Sequence, residues 1–316
     1  MRGPIDFHAH LIDPAVYRET QAFSIFAQTT DATRSASVIA RMADLDARIA
    51  AMDAMDVGMQ VLSASLVHQC TYDAEPETGL RLDAAMNDMM ARAVAAHPDR
   101  LRGLGSVPLQ APDMAVRELT RCMSELGLSG VTISTRVRDR EIGDAALRPF
   151  WEAVEALGAV VFIHPAGNHD PRFRKWQLWN SIGQSFEEAM AIASLFYEGI
   201  LDAYPKLKIV VSHGGGYMPF YLGRLARNYI EKPATRANMT KAPLDYVRML
   251  HYDTCVYDPD TLSHLAGIAG TERIVMGSDY PVGDTTPIEF VENCAALDAS
   301  GKKAILRGNA ERLLAR

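Results

Sequence analysis

The sequence predicts an α/β fold, a (β/α)8 TIM barrel with a small insertion after its first strand. Two observations predict it. Eight short, β-rich apolar runs alternate with longer helical patterns, and histidines gather at the C-terminal ends of those runs. Parallel strands covered on both faces read as near-continuous apolar segments, and recurrent β–α alternation supplies the covering helices. Eight units point to a closed barrel rather than an open sheet. A chain of 316 residues suits one such barrel of ~250 residues plus insertions, so a single domain over residues 1–316 is expected.

The elements follow in order. Ile5–His10 reads as the first strand. Residues from about 11 to 43 separate it from its helix and are expected to form a lid or insertion. Gln60–Ala64 is the second strand, with Leu82–Ala96 behind it carrying apolar residues at three-to-four spacing. Gly103–Val107 is the third, followed by the helical pattern Ala115–Leu126. Gly130–Ser134 is the fourth, and Leu147–Leu157 follows with a proline in its first turn. Val160–His164, Ile209–His213, Tyr252–Tyr257 and Arg273–Gly277 complete the eight. The exit from the fifth strand, about 167–184, is long and holds two Trp, two Arg and a Lys, the kind of loop from which barrel active sites are built.

Composition excludes some partners. The net charge is −7 with Lys and Arg dispersed, and no basic stripe suggests a nucleic-acid groove. No apolar stretch approaches the ~18 residues of a membrane helix, and Met1–Asp6 leaves no room for an apolar leader. Cys70, Cys122, Cys255 and Cys294 are scattered without a CxxC pair, so neither a disulfide framework nor a thiolate zinc site is expected. A reducing cytoplasm is the expected address.

Four of nine histidines sit at strand ends: His8 and His10 on the first, His164 on the fifth, His213 on the sixth. Alternate strand residues share a face, so His8 and His10 point together while Phe7 and Ala9 point the other way. The eighth strand runs out into Asp279. A short parallel barrel converges these five groups, and three imidazoles with one carboxylate and an open position suit Zn²⁺ or a similar borderline ion. A lone strand-end histidine is commonly a satisfied core residue, but five such groups in barrel order are not easily produced by chance. His97 reads as a helix-exit residue; His68, His169, His251 and His264 read as surface or loop.

Ile5-Asp6-Phe7-His8-Ala9-His10, Phe162-Ile163-His164-Pro165, Ser212-His213-Gly214-Gly215-Gly216 and Gly277-Ser278-Asp279-Tyr280-Pro281 together resemble the amidohydrolase-2 branch of the amidohydrolase superfamily, and within it the decarboxylases. The resemblance runs from Ile5 to Gly308-Asn309-Ala310. It implies one divalent metal, Zn²⁺ first and Mn²⁺ second, on His8, His10, His164 and Asp279, with His213 as acid–base. It also implies that Arg224 binds a substrate carboxylate, by analogy across a homodimer interface. A guanidinium fork suits that task. The fourth strand offers no Lys to bridge two metals, so a single ion is expected. The phrase His164-Pro165-Ala166-Gly167-Asn168 departs from the His-Pro-Trp-Asp usual in the decarboxylases, which loosens the link to any one substrate. Arg34 is the nearest first-loop arginine for a carboxylate and Arg41 another, while Trp176 and Trp179 are candidates to cover a substrate ring.

The activity implied is non-oxidative decarboxylation of a small unsaturated or aromatic carboxylate. Metal-dependent hydrolysis or hydration of ring-cleavage products or lactones is the rival, since that superfamily shares these ligands. A binding protein that retains the metal is a third reading, against which the complete ligand set argues.

Overall fold

In the computed structural model the described residues are 3–23, 32–64, 71–168 and 170–315. Eight strands form one parallel sheet in sequential order: β1 Ile5–His10, β2 Met59–Ser63, β3 Leu101–Gly105, β4 Gly130–Ile133, β5 Val160–Ile163, β6 Lys208–Val211, β7 His251–Asp253 and β8 Ile274–Val275. The ends of the sheet meet. Phe7 N donates to Met276 O at 2.8 Å and His10 N to Tyr280 O at 2.9 Å, which joins β8 to β1. A two-stranded hairpin, Arg136–Val137 with Arg140–Glu141, follows β4.

Alternation along the strands separates two cores. Val61, Leu104, Val160, Phe162, Val210 and Val275 pack inside, with Ala310 and Leu313 of the last helix beneath them. Val131, Ile133, Val161, Ile163, Ile209 and Val211 face outward onto the helices. Each inner side chain is almost wholly removed from water, worth roughly 1.5–3 kcal/mol apiece.

β1 breaks the alternation. Its pairing with β2 slips between Asp6 and Ala9, a bulge of the kind that re-aims side chains beside active sites. Phe7 therefore joins the inner cluster, 6.4 Å from Phe162, while His8 lies 4.9 Å from the same ring. The sequence expectation that Phe7 points away from His8 is corrected by this slip; Ala9 does face outward.

Several boundaries also move. β3 starts at Leu101, because Arg102 turns its guanidinium back to Pro98 O and can sit at a strand entrance. β7 ends at Asp253 rather than Tyr257, since the Asp253 carboxylate takes the Gly214 and Cys255 amides and leaves the ladder behind. β8 stops at Val275; beyond it Ser278 N donates to Asp6 Oδ1. The second barrel helix starts at Pro76 and the third at Pro112, each with proline in its first turn. Residues 11–43 include the helices Pro14–Thr20 and Ala32–Ala43, and Leu45–Ala54 follows. Among the described residues no helix is long and apolar enough to cross a membrane.

Candidate metal centre and active site

The C-terminal mouth of the barrel gathers the strand-end residues. One donor atom from each of His8, His10, His164 and Asp279 lies within 4.8 Å of the others. Asp279 Oδ1 sits 2.9 Å from His10 Nε2 and 3.2 Å from His8 Nε2. The His164 ring is 5.0 Å from that of His8 and 4.9 Å from that of His10. All four residues are buried or nearly so.

Partners behind the rings fix their orientation. Asp253 Oδ2 lies 2.6 Å from His8 Nδ1, and Ser63 Oγ lies 3.1 Å from His10 Nδ1. A carboxylate on Nδ1 keeps the proton there and leaves a lone pair on Nε2. His8 Nε2 has no hydrogen-bond partner, although Asp279 Oδ1 is within 3.2 Å. A lone pair facing a carboxylate oxygen at that distance is repulsive unless a cation lies between them. The donor set therefore fits a divalent ion, and its N₃O composition suits Zn²⁺ or a similar metal. Burial would raise the Asp279 carboxyl, but the imidazoles of His8, His10 and His213 hold it down to about 2.

His213 stands beside this cluster, its ring 5.3 Å from that of His8 and 5.2 Å from that of His164. Its Nδ1 lies 2.6 Å from Glu188 Oε1, which also accepts from Ser212 Oγ at 2.6 Å. Glu188 comes from the first turn of the helix Ser185–Tyr197 and is completely buried. Burial alone would lower the His213 imidazole, yet Glu188 first, then Asp279 and Asp253, lift it to about 10. Nε2 remains the nitrogen open to a substrate. The turn after His213 needs glycine: Gly216 has φ 60°, and a Cβ there would stand 2.2 Å from Ser185 O and 2.9 Å from Glu188 Oε2. That missing carbon lets the Glu188 helix close on His213.

The remaining candidates lie elsewhere. Arg224 is exposed on the helix Leu222–Glu231 and is not brought to the cluster by its own chain. Trp176 is 82% exposed with Lys175 5.9 Å from its ring centre, so the structure turns it outward. Trp179 is half-buried and packs where a side chain on Gly167 would otherwise be. Arg41 is exposed. Arg34 belongs to the helix Ala32–Ala43, but its side chain, like His68, Cys70 and His169, lies outside the described residues. His251 is not a surface residue: it opens β7, half-buried, with burial pushing it down to about 4.

Sequence reasoning missed Asp253, Glu188 and Arg48. Arg48 is the buried arginine after the first strand; it donates to His10 O and Gln60 Oε1 and lies 4.8 Å over the Tyr280 ring. The available signal was an acid inside an apolar strand: Asp6 in Ile5–His10 and Asp253 in the seventh run. Acids are almost never fully buried unless paired. Asp6 is paired through Ser278, Gln60 and the His8 amide. Glu188 sits in a helix and gave no such sign.

Comparisons with known proteins agree with the geometry. 2-Amino-3-carboxymuconate-6-semialdehyde decarboxylase of Dictyostelium discoideum is 35% identical over 260 residues, covering 81% of this chain and 72% of that one. A 2-keto-4-carboxy-3-hexenedioate hydratase of Sphingobium sp. is 28% identical over 257 residues, 73% of this chain and 71% of its own. The crystal structure of 5-carboxyvanillate decarboxylase from Sphingomonas paucimobilis superposes with a TM-score of 0.88 at 29% identity, over 99% of this chain and 98% of that one. A dihydroxybenzoic acid decarboxylase from Polaromonas sp. JS666, with bound manganese and the inhibitor 2-nitroresorcinol, gives 0.88 at 25% identity, over 99% and 97%. The amidohydrolase family profile matches residues 5–316, from the strand that carries His8 and His10 to past the one that leads to Asp279. With all four donors inside that match, the chain belongs to the amidohydrolase family.

Proposed function

We propose that the protein is a metal-dependent carboxy-lyase that removes CO2, without oxidation, from a small unsaturated or aromatic carboxylate. The observation that carries this reading is the pairing of the four-donor cluster with a carboxylate-backed histidine beside it. The relatives named above act on carboxylates of that kind by their names. His8, His10, His164 and Asp279 would hold one divalent ion, Zn²⁺ first; the manganese in the Polaromonas structure keeps Mn²⁺ in play. When bound, such an ion supplies Lewis-acid polarisation of the substrate's oxygens.

The chain's own groups handle the proton. Glu188 fixes the His213 ring through Nδ1, so Nε2 faces the carbon that carries the carboxylate. A proton passes from Nε2 to that carbon, the bond to the carboxylate breaks, and its electron pair restores the conjugated system as CO2 leaves. One C–H bond replaces one C–C bond, and His213 regains its proton from water at the mouth.

The homodimer is part of the proposal. Ile182, Phe186 and Met190 form an exposed apolar stripe, and Tyr217, Phe220 and Tyr221 are exposed nearby, since Tyr217 N donates to Ser185 O. Arg224 follows directly on this face, suited to reach a partner's mouth and fork a carboxylate. The buried thiols of Cys122, Cys255 and Cys294 are free, which favours a reducing compartment such as the cytoplasm.

Hydration is the second reading, favoured by the hydratase among the relatives. The test is to incubate zinc- and manganese-loaded protein with unsaturated and hydroxybenzoic acids and to quantify CO2 beside a His213→Ala control. Release that depends on metal and falls about 10²–10⁴-fold in the variant is expected. Labelled water entering a product without CO2 would overturn the lyase reading in favour of the hydratase.

A further inference from the structure

Three residues at the mouth share an uncommon backbone. His213, Tyr257 and Asp279 have φ of 48°, 56° and 57°, and they follow three neighbouring strands, β6, β7 and β8. Bulky side chains rarely take the left-handed conformation, and such strain gathers at functional sites. His213 and Asp279 already belong to the site. Tyr257 has no part in the donor cluster or the acid–base pair, yet its hydroxyl reaches Asp279 Oδ2 at 3.5 Å. That is the carboxylate oxygen the imidazoles do not use.

The loop beyond Asp279 folds back closely on the same spot. A Cβ on Gly283 would stand 2.3 Å from Ser278 O and 2.7 Å from both Asp279 Cβ and the Tyr257 hydroxyl, so the phenol lies against the turn that carries the metal ligand. The residue is nonetheless 56% exposed, so its ring walls the mouth instead of filling a core. A phenol both donates and accepts, and a 3.5 Å contact is longer than the roughly 2.5–3.0 Å of an O–H···O hydrogen bond, so Asp279 does not commit the hydroxyl.

We infer that Tyr257 is a substrate-binding residue: its hydroxyl, resting on Asp279 in the free protein, donates to an anionic oxygen of a planar hydroxylated carboxylate, and its ring forms one wall of the mouth. This assignment rests on the proposed lyase reading for the identity of the ligand. It makes β7 a contributor to specificity, alongside β6 with the acid–base group and β8 with a metal ligand.

The test is Tyr257→Phe, which keeps the ring and removes one oxygen. The manganese-loaded wild type and variant are titrated with 2-nitroresorcinol, metal content is measured on the same samples, and KM and kcat are determined with 2,6-dihydroxybenzoate or the best acid of the panel. The expected result is full metal content, with KM and the inhibitor's Kd raised about 10- to 100-fold and kcat within about threefold. Unchanged Kd and KM would overturn the inference. So would a loss of binding that tracks loss of metal, because Tyr257 would then merely brace Asp279. A wild type that binds the inhibitor through Tyr257 but releases no CO2 from any acid would uphold the contact while sinking the lyase reading.

Discussion

Asp253 shows how much one buried side chain can hold in place. Its Oδ2 fixes the His8 ring while its Oδ1 takes the amides of Gly214 and Cys255, so a single carboxylate ties the donor cluster to the turn that carries His213. Outer partners of metal-bound histidines typically matter ~10–100-fold in affinity. Asp253→Asn should weaken metal binding by about that factor, measured by competition against a chromophoric chelator; an unchanged affinity would deny the carboxylate this role. Glu188→Gln keeps the shape of its partner but not the charge. It should lower kcat far more than it raises KM, and it should move the alkaline limb of the kcat profile, where His213 loses the proton it donates, to lower pH, because Glu188 is the main charge that lifts His213. The strand-end histidines and Asp279 were legible in the sequence, since their residue types and their position after apolar runs are both one-dimensional facts. Glu188 and Tyr257 were not: what they touch is decided by a helix closing over Gly216 and by how the loop after Asp279 folds back at Gly283.

At the scale of elements, the helix Pro76–Ala96 is docked on β3 through buried polar groups. Asp83 Oδ1 accepts from Ser106 Oγ at 2.7 Å, while Asp83 Oδ2 has no partner and is fully buried. Burial is the main cause that raises this carboxyl to about 7, with Glu118 adding to it against hydrogen bonds from Ser106 and Thr71. The folded state therefore keeps a proton that the unfolded chain releases near the ordinary carboxyl value. This contribution to stability is complete below pH ~4 and is lost as pH rises to about 7, by roughly 4 kcal/mol at most. Urea unfolding at pH 5 and pH 8 should show Asp83→Asn gaining on the wild type by about 2 kcal/mol or more at the higher pH; parallel curves would mean that Asp83 is ionised in the fold. The order of strands and helices was readable because period-two and near-period-four patterns alternate along the chain. The bulge in β1 was not, as a slip between Asp6 and Ala9 leaves the spacing of His8 and His10 untouched while reversing Phe7.

For the molecule as a whole, the donor cluster joins the first strand, the fifth and the segment after the last. Stripping the metal with a chelator should therefore lower the melting temperature of the entire barrel, not only inactivate it. A ligand at 1,000 times its Kd stabilises by ~4 kcal/mol, which for a chain of this size is a fall of about 5–10 °C. Scanning calorimetry of the apo and reloaded protein checks this; identical transitions would place the metal outside the fold's energetics. Barrel closure itself could be read from the count of eight runs. The face around Tyr217 and Arg224 could not, because exposure follows from which helix sides the sheet leaves uncovered.

The seam of the barrel has one more implication. His10 and Asp279 are 269 positions apart in the chain yet adjacent across the junction of β8 with β1. On a ribosome moving at ~5–20 residues per second, roughly a quarter of a minute to a minute passes between the emergence of the two. Throughout that interval a nascent chain carries the His-x-His pair without the carboxylate that completes its set. The complete four-donor set therefore cannot assemble until the segment after β8 has been made, and the pair on the first strand is not by itself the site.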